Sequence, residues 1–353
     1  MSPKVAIQCV AFWGEQARHD LDALFQSVTQ LSYPKDKLFL VIVDNPSPHG
    51  TAVEYLMRRW GDNMALPRWE VVPSPVNDGY SGGHARGWAK SMESGADYIY
   101  LINQDAWLDP RAIEILVAYM EAHPNTAVAQ SFVREAGSER INTCGNRLHY
   151  LGYGLRGTDP SDARPMFYAS GAAVMMRPKM IKAIGGLFDP WNFMYHEDVD
   201  VSWRARLAGF DVAAVPESVA YHRYEFERSM KLFSWMERNR LMTHLSNFRV
   251  ATLVLMAPMF MAMELGGLWF AFTSHRLCDK AATYGWFFQG ETWRRIGQRR
   301  RVIRSLRQRT DREMLALMMD TLASEEVKSA LLERVVNPVL RAYGGFLRWA
   351  VRW

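Results

Sequence analysis

Cysteine is scarce in these 353 residues: Cys9, Cys144 and Cys278 stand far apart and are odd in number. That spacing offers neither a disulfide framework nor a zinc site, so a reducing compartment is expected. No internal repeat or low-complexity tract is present, and with 49% hydrophobic and 22% charged residues a packed core is expected where long disorder is not. The amino terminus lacks the apolar region and small-residue cleavage site of a signal peptide, because Ser2-Pro3-Lys4 runs directly into a strand pattern, and export is not expected. Net charge is a modest +5, yet Arg294, Arg295, Arg299, Arg300, Arg301, Arg304, Arg307, Arg309 and Arg312 crowd one segment. Such a cluster ordinarily meets phosphate, whether of lipid head groups, nucleic acid or a substrate.

What is there begins with alternation. Strands are predicted over residues 5–10, 38–43, 69–73 and 98–102, and helices over 20–31, 51–60 and 82–94. Strands separated by such helices predict an α/β fold with a parallel sheet, right-handed crossovers and binding residues in the loops after the strands. Two of these loops are Asp44-Asn45-Pro46-Ser47 and Asn77-Asp78-Gly79-Tyr80-Ser81-Gly82-Gly83. The middle third is less regular: residues 158–165 read as a mobile loop, 169–176 as a small-residue turn entering a strand, and 178–184 as a helix. The length suits a catalytic domain of roughly 220 to 250 residues plus an appendage. Character changes near Glu225, which divides the chain into residues 1–225 and 226–353.

Acids carry the chemistry. Asp44, just past a strand, suits hydrogen bonds from a nucleobase or ribose, although an isolated Asp in a turn reads first as an Asx turn or helix cap. Glycines before a helix admit a phosphate to its amino terminus, and they also make ordinary turns. Asp105, at the end of the run through Asn103 and Gln104, offers an oxygen to a divalent cation on a diphosphate, while Asp109 before Pro110 suits a helix cap. Glu197, Asp198 and Asp200 crowd three carboxylates into four positions, which repel unless a cation or proton separates them. With a helix starting near Glu197, Asp200 caps it or pairs with Arg204 or Arg206, which leaves Asp198 as candidate general base. His222 alone reads as a packed or hydrogen-bonding residue.

Residues 250–274 hold one charged side chain, Glu264, and are flanked by Arg249 and Arg276. A bilayer needs about 20 apolar residues, so the run is long enough to cross one. Pro258, Glu264 and the Gly266-Gly267 pair argue against a simple span, and the aromatic and cationic end from Tyr343 to Trp353 suits a membrane interface. The other reading is a buried helix of a helical subdomain, with the arginines on a solvated surface near Asp311 and Glu313.

Taken together, Val43-Asp44-Asn45-Pro46-Ser47, the Asn77 to Gly83 loop, Leu101-Ile102-Asn103-Gln104-Asp105, Ser170-Gly171-Ala172, the stretch from Gly185 to Arg204 and Leu207-Ala208-Gly209-Phe210 resemble glycosyltransferase family 2, and more narrowly its bacterial rhamnosyltransferase-like branch. The ordered motifs cover about residues 5–224 and extend loosely through the Arg-rich tail. The resemblance implies a GT-A fold, Rossmann-like with a mostly parallel sheet and flanking helices, followed by a C-terminal helical, membrane-associating region. It also implies a nucleoside diphosphate-sugar donor, a divalent metal (Mg2+ or Mn2+) and inversion at the anomeric carbon. Carried over by position, Asp44, Asn45, Ser47, Asn77, Gly79, Gly82, Gly83, Asn103 and Gln104 line the donor nucleotide pocket. Asp105 becomes the last acid of the metal motif, His222 joins it, and Asp198 is the base. Gly171, Glu197, Asp200, Trp203 and Arg204 serve as acceptor contacts or structural support. One departure stands out: the usual motif is Asp-x-Asp, and Asn103 in its first position removes an anionic ligand and weakens cation affinity.

The reaction so implied moves rhamnose or a similar sugar to a hydroxyl of a glycan or polyprenyl-linked saccharide in cell-surface polysaccharide synthesis. Thymidine diphosphate-rhamnose is the expected donor, and uridine diphosphate-linked galactofuranose or glucose is the runner-up. The expected location is cytoplasmic, peripheral on the inner face of the membrane, with no nucleic-acid partner. A metal-dependent nucleotidyltransferase is the first competing reading, but Ala11 to Arg18 lack the glycine-rich, cationic grip for a triphosphate. The second is a non-catalytic membrane-attached scaffold whose acids only pair with Arg204 and Arg206.

Overall fold

A computed structural model describes residues 2–161, 166–223, 232–322 and 330–353. Strands β1 (Val5–Phe12), β2 (Leu38–Asn45), β3 (Arg68–Pro73) and β4 (Tyr98–Asn103) pair in parallel in the spatial order β3-β2-β1-β4. Helices α1 (Glu15–Thr29), α2 (Val53–Trp60) and α3 (Gly79–Glu93) make the crossovers. Ile7, Leu40, Ile42, Tyr100 and Ile102 of the sheet bury against Leu21, Leu24 and Phe25 of α1, as expected for strands covered on both faces.

Beyond β4 the sheet is mixed. The chain passes through β5 (Ala106–Leu108), α4 (Ala112–Ala122), β6 (Thr126–Glu135), β7 (Ile141–Thr143), β8 (Arg147–Leu148) and β9 (Gly154–Leu155) before β10 (Ala173–Met176). No helix lies among the described residues between β6 and β10, so the chain returns without a crossover and β10 inserts antiparallel between β4 and β6. After α5 (Pro178–Ala183) and α6 (Glu197–Leu207), β11 (Asp211–His222) runs parallel to β6, and its last residues pair with β5. That pairing sets His222 opposite Ala106, one residue past Asp105.

Among the described residues the α-helices that follow are α7 (Phe233–Asn247), α8 (Val250–Thr273), α9 (Leu277–Phe287), α10 (Gly290–Leu306), α11 (Asp311–Ala316) and α12 (Asn337–Ala350). Trp203 and Leu207 of α6 share one core with Phe248, Met256, Ile303, Met314, Leu340 and Leu347. Residues 162–165 of the loop expected over 158–165, and the division expected at 225/226, lie outside the described residues.

In α8, Glu264 points into the protein, where it meets Arg240, Lys280 Nζ at 2.8 Å and Tyr284 Oη at 2.7 Å. The opposite face exposes Val250, Val254, Met261, Leu265, Trp269 and Phe272. This helix is therefore not a buried core helix, and by length and composition it is able to cross a membrane. The arginine cluster is largely tied up inside the fold. Arg294 and Arg295 pair with Glu291, Arg299 with Asp189 and Asp200, Arg307 with Asp311, and Arg300 donates to the Leu245 and Phe248 carbonyls. The expectation that this segment as a whole meets phosphate is corrected accordingly, although Arg294, Arg301, Arg304 and Arg312 are exposed.

Candidate active site

Of the residues expected to line a nucleotide pocket, those from Asp44 to Ser47 and from Asn77 to Gly83 lie where β2 ends and α3 begins. Asp44 Oδ1 accepts from Ala52 N–H at 3.0 Å, which fixes the loop entering α2, and burial raises its carboxyl above the ordinary range against that bond. Ser47 closes a turn with Gly50, and Asn77 Oδ1 accepts from Gly79 N–H at 2.9 Å. Asn45 Nδ2 donates to the Gly79 carbonyl at 2.8 Å, joining the two loops. Gly79 sits at φ +67, and a Cβ there would fall 2.4 Å from the Phe193 carbonyl oxygen, so the turn requires glycine. A Cβ on Gly83 would meet Val10 at 2.8 Å, and one on Gly82 would meet Asp78 at 2.5 Å; both let α3 start hard against its neighbours.

The second cluster forms at the carboxyl end of β4. Gln104 Oε1 accepts from Phe12 N–H at 2.6 Å and ties the ends of β1 and β4 together. Asp105 Oδ1 lies 3.2 Å from His222 Nε2, and Arg223 N–H donates to the Asp105 carbonyl at 2.9 Å. Asn103 Nδ2 is 3.2 Å from the same His222 Nε2, while Nδ1 of that ring is 3.3 Å from Asn142 Oδ1. Asn103 Oδ1 is buried without a hydrogen-bond partner. Among the described residues no group of three or more His, Cys, Asp or Glu side chains gathers as a metal cage. One carboxylate, one imidazole and an orphaned amide oxygen do fit a divalent cation that takes its remaining ligands from a diphosphate and water.

The third cluster opens α6. Asp198 Oδ1 accepts from Val199 N–H at 2.8 Å and Oδ2 from Gly171 N–H at 3.4 Å, and burial pushes its carboxyl up to about 6 against those bonds. Glu197 is raised well above the carboxylate range by burial and then by the Asp198 charge, with Ser81 Oγ donating to it at 3.3 Å. Asp200 is held below the ordinary range: burial would raise it, but Arg204 and Arg299 outweigh that. Arg204 Nε donates to Asp200 at 2.9 Å, and its Nη1 donates to the Ile184 and Gly186 carbonyls, clamping the turn before the loop. Asp200, Arg204 and the core residue Trp203 are thus structural here.

Backbone bonds join the second and third clusters. Asn103 N–H donates to the Ala172 carbonyl at 3.0 Å, and Gly171 N–H reaches Asp198. Tyr80 Oη donates to the Gly171 carbonyl at 2.7 Å, and a Cβ on Gly171 would strike that hydroxyl. The Gly171–Ala172 peptide thus links the strand end that carries Asp105 to the start of α6 that carries Asp198. Tyr80 and Asn142 had no role expected from the sequence, and Arg299 stood there only as one of a cationic cluster. Tyr80 lay inside a quoted loop, whereas Asn142 and Arg299 act across more than 75 residues of chain and leave no local signal.

The profile described as "Glycosyl transferase family 2" matches residues 9–185. The chain is 24% identical over 210 residues to N-acetylglucosaminyl-diphospho-decaprenol L-rhamnosyltransferase of Mycobacterium tuberculosis, a match covering 52% of this chain and 66% of that protein, just under two thirds of its length. Among solved structures, the mannosyltransferase PcManGT from Pyrobaculum calidifontis in complex with GDP-Man and Mn2+ is similar at TM-score 0.51 and 12% identity, covering 99% of this chain and 85% of that one. S. aureus TarS 1-349 in complex with UDP is similar at TM-score 0.53 and 11% identity, covering 98% and 89%. GalNAc-T7 with UDP, GalNAc and Mn2+ is similar at 0.54 and 12%, covering 70% of this chain and 48% of that one. These likenesses establish the GT-A architecture.

Proposed function

Since the chain belongs to glycosyltransferase family 2, we propose that it moves a sugar from a nucleoside diphosphate carrier to an acceptor hydroxyl with inversion, using Asp198 as general base. The observation that carries this reading is the Asp198 carboxyl, pushed up to about 6 and tied by Gly171 N–H to the peptide that also bonds Asn103, two residues before Asp105 of the Asp105–His222 pair. A base poised near the operating pH combines an ionised population with useful proton affinity. Asp198 takes the acceptor hydroxyl proton as the oxygen bonds to the anomeric carbon, and the bond from that carbon to the diphosphate oxygen breaks on the opposite face. The nucleoside diphosphate leaves with the electron pair. Asp105, His222 and the Asn103 amide oxygen would hold a divalent cation, which when bound supplies charge neutralisation at the diphosphate. The Asp44–Ser47 and Asn77–Gly83 loops seat the nucleoside.

The mycobacterial relative's name supports rhamnose as the sugar moved and a polyprenyl-linked saccharide as acceptor, with thymidine diphosphate as the carrier read from the resemblance. A lipid-linked acceptor places the enzyme on the inner face of the membrane, where α8 lies in the plane of the interface. A span would pull Glu264 away from Arg240 and Lys280 into hydrocarbon. Purified protein incubated with candidate nucleotide sugars releases nucleoside diphosphate if this reading holds. Asp198→Asn lowers transfer by about 10²- to 10⁴-fold and leaves nucleotide affinity nearly intact in a binding titration. Near-normal turnover by that variant removes Asp198 from the role.

A further inference from the structure

The loop that delivers Asp198 is held in a shape its own residues resist. Phe193, Tyr195 and His196, none of them glycine, have φ of 61, 70 and 64. Each such residue costs about 1–2 kcal/mol, so the loop keeps this path only if something outside overdetermines it. Two consecutive residues of α7, both fully buried, supply the constraint. Asn239 Nδ2 faces three loop carbonyls, Asn192 at 2.8 Å, Met194 at 2.9 Å and Tyr195 at 2.8 Å. Arg238 Nη2 donates to the Trp191 and Asn192 carbonyls at 2.6 and 3.2 Å, and its Nε and Nη2 donate to Asn239 Oδ1 at 3.0 and 2.8 Å, which fixes the amide's orientation. The guanidinium itself is boxed by the rings of Trp191, Trp235 and Trp286 at 4.3, 4.2 and 4.7 Å.

The same loop touches the donor side. Phe193 O accepts from Ser81 N–H at 3.0 Å and lies where a Gly79 side chain would be. Ser81 in turn reaches Glu197, the neighbour of Asp198. One short segment thus registers the nucleotide loop and the start of α6 against each other.

We infer that Arg238 and Asn239 are positioning residues for transfer: the Asn239 amide, oriented by Arg238, locks the 192–196 loop so that Asp198 and the donor loop take up their working geometry together. The inference rests on the reading of Asp198 as base. It assigns to the helical half of the chain a direct part in catalysis, exerted through backbone carbonyls without contact to substrate.

The test is Asn239→Ser and, separately, Arg238→Lys, each assayed for kcat, donor KM, nucleotide affinity and the pH dependence of kcat/KM, with melting temperature recorded. Arg238→Lys keeps the charge within the tryptophan box and folds, but it loses the planar fork that orients the amide. Displacement of a base by an ångström costs about 10²-fold, so kcat falls by about 10- to 100-fold while donor KM and nucleotide affinity move less than about threefold. The acid limb of the pH profile moves down in both variants as the Asp198 carboxyl loses its set position. Folded variants with wild-type kcat and an unmoved limb overturn the inference. Asp198→Asn is run alongside: if it abolishes transfer while the Asn239 and Arg238 variants act like wild type, the positioning role fails and the base reading survives; if Asp198→Asn turns over normally, the base reading itself has failed.

Discussion

Buried carboxylates in the two halves of this chain are driven in opposite directions. At the head of α6, Glu197 and Asp198 are raised by burial, and what meets them is a serine hydroxyl and backbone N–H groups. Between α7, α8 and α9, Glu237 is pulled down to about 2 and Glu264 is also lowered, because Arg240 and Lys280 outweigh the same burial. The fold therefore commands enough cations to neutralise interior acids, and none of them is among the causes that set the Glu197 and Asp198 carboxyls. Leaving Glu197 and Asp198 without such neutralisation costs stability, which is the pattern of a site kept for proton chemistry. Asp200 sharpens the contrast within a single helix turn: two residues from Asp198, it is paired by Arg204 and Arg299 and held down.

Removing an acid from the paired network breaks the comparison on its helical side. Glu237→Gln leaves Arg240 and Lys280 sharing Glu264 alone, and an uncompensated buried cation costs about 3–5 kcal/mol in urea unfolding. The sign follows from the lowered carboxyl: Glu237 contributes stability above the unfolded carboxylate range, and that stability is lost as pH falls toward 2. Wild type thus loses stability on acidification more steeply than Glu237→Gln, and equal acid sensitivity would contradict the pairing. The outer face of α8 offers a second test. Trp269 and Phe272 are exposed there, and α12 exposes Val339, Phe346 and Trp349 beside exposed Arg341 and Arg352. Each large side chain inserted in lipid is worth about 2 kcal/mol, so Trp269→Asp with Phe272→Asp lowers sedimentation with phosphatidylglycerol vesicles at least tenfold. Transfer to a soluble acceptor analogue stays unchanged. Equal sedimentation of both proteins at low salt would remove α8 from membrane contact.

Much of the sheet was legible because its signal is local. Runs of β-branched and aromatic residues with helical periods between them marked β1 to β4 with shifts of a few residues, and Gly79, at positive φ, and the closely packed Gly82 and Gly83 fell in a loop already marked. Helix α3 begins at Gly79, three residues before the expected start, since the left-handed Gly79 itself opens the turn. Asp109, expected to cap the helix after Pro110, does not do so: α4 opens at Ala112 with Arg111 in the cap position, and Asp109 instead accepts from Arg111 N–H at 3.0 Å in the turn before it. The antiparallel β10 was not legible, because strand direction depends on the connection from β6 and not on the strand's own residues. The arginines misled for a related reason: a run of cations looks unpaired until the fold brings up Asp189 and Asp200 from about a hundred residues away. Three non-glycine residues in left-handed backbone gave no usable warning, since Phe and Tyr carry no preference for it, a single His marks it only weakly, and the amide that holds the loop is 44 to 47 residues distant.

If Asp198 is an acid held at a cost, removing its charge should strengthen the fold while removing the activity. A carboxyl raised from the ordinary range to about 6 favours folding at low pH, where it is protonated in both states, and loses that contribution as pH rises through 6. At pH 8 the ionised side chain therefore weighs against the native state, and because Asp198 is only partly buried the discounted cost is about 1–2 kcal/mol. Asp198→Asn is consequently more stable than wild type by that amount at pH 8, with the difference shrinking toward zero near pH 4, where both side chains are neutral. The activity limb moves in the opposite sense: kcat/KM of wild type falls as pH drops below about 6, because the base is then protonated. Paired thermal melts across pH 4 to 8 read the first effect and initial rates read the second. A variant destabilised at pH 8, as Glu237→Gln is, would mean that Asp198 belongs with the structural acids of the helical half and that the contrast between the two regions has been drawn in the wrong place.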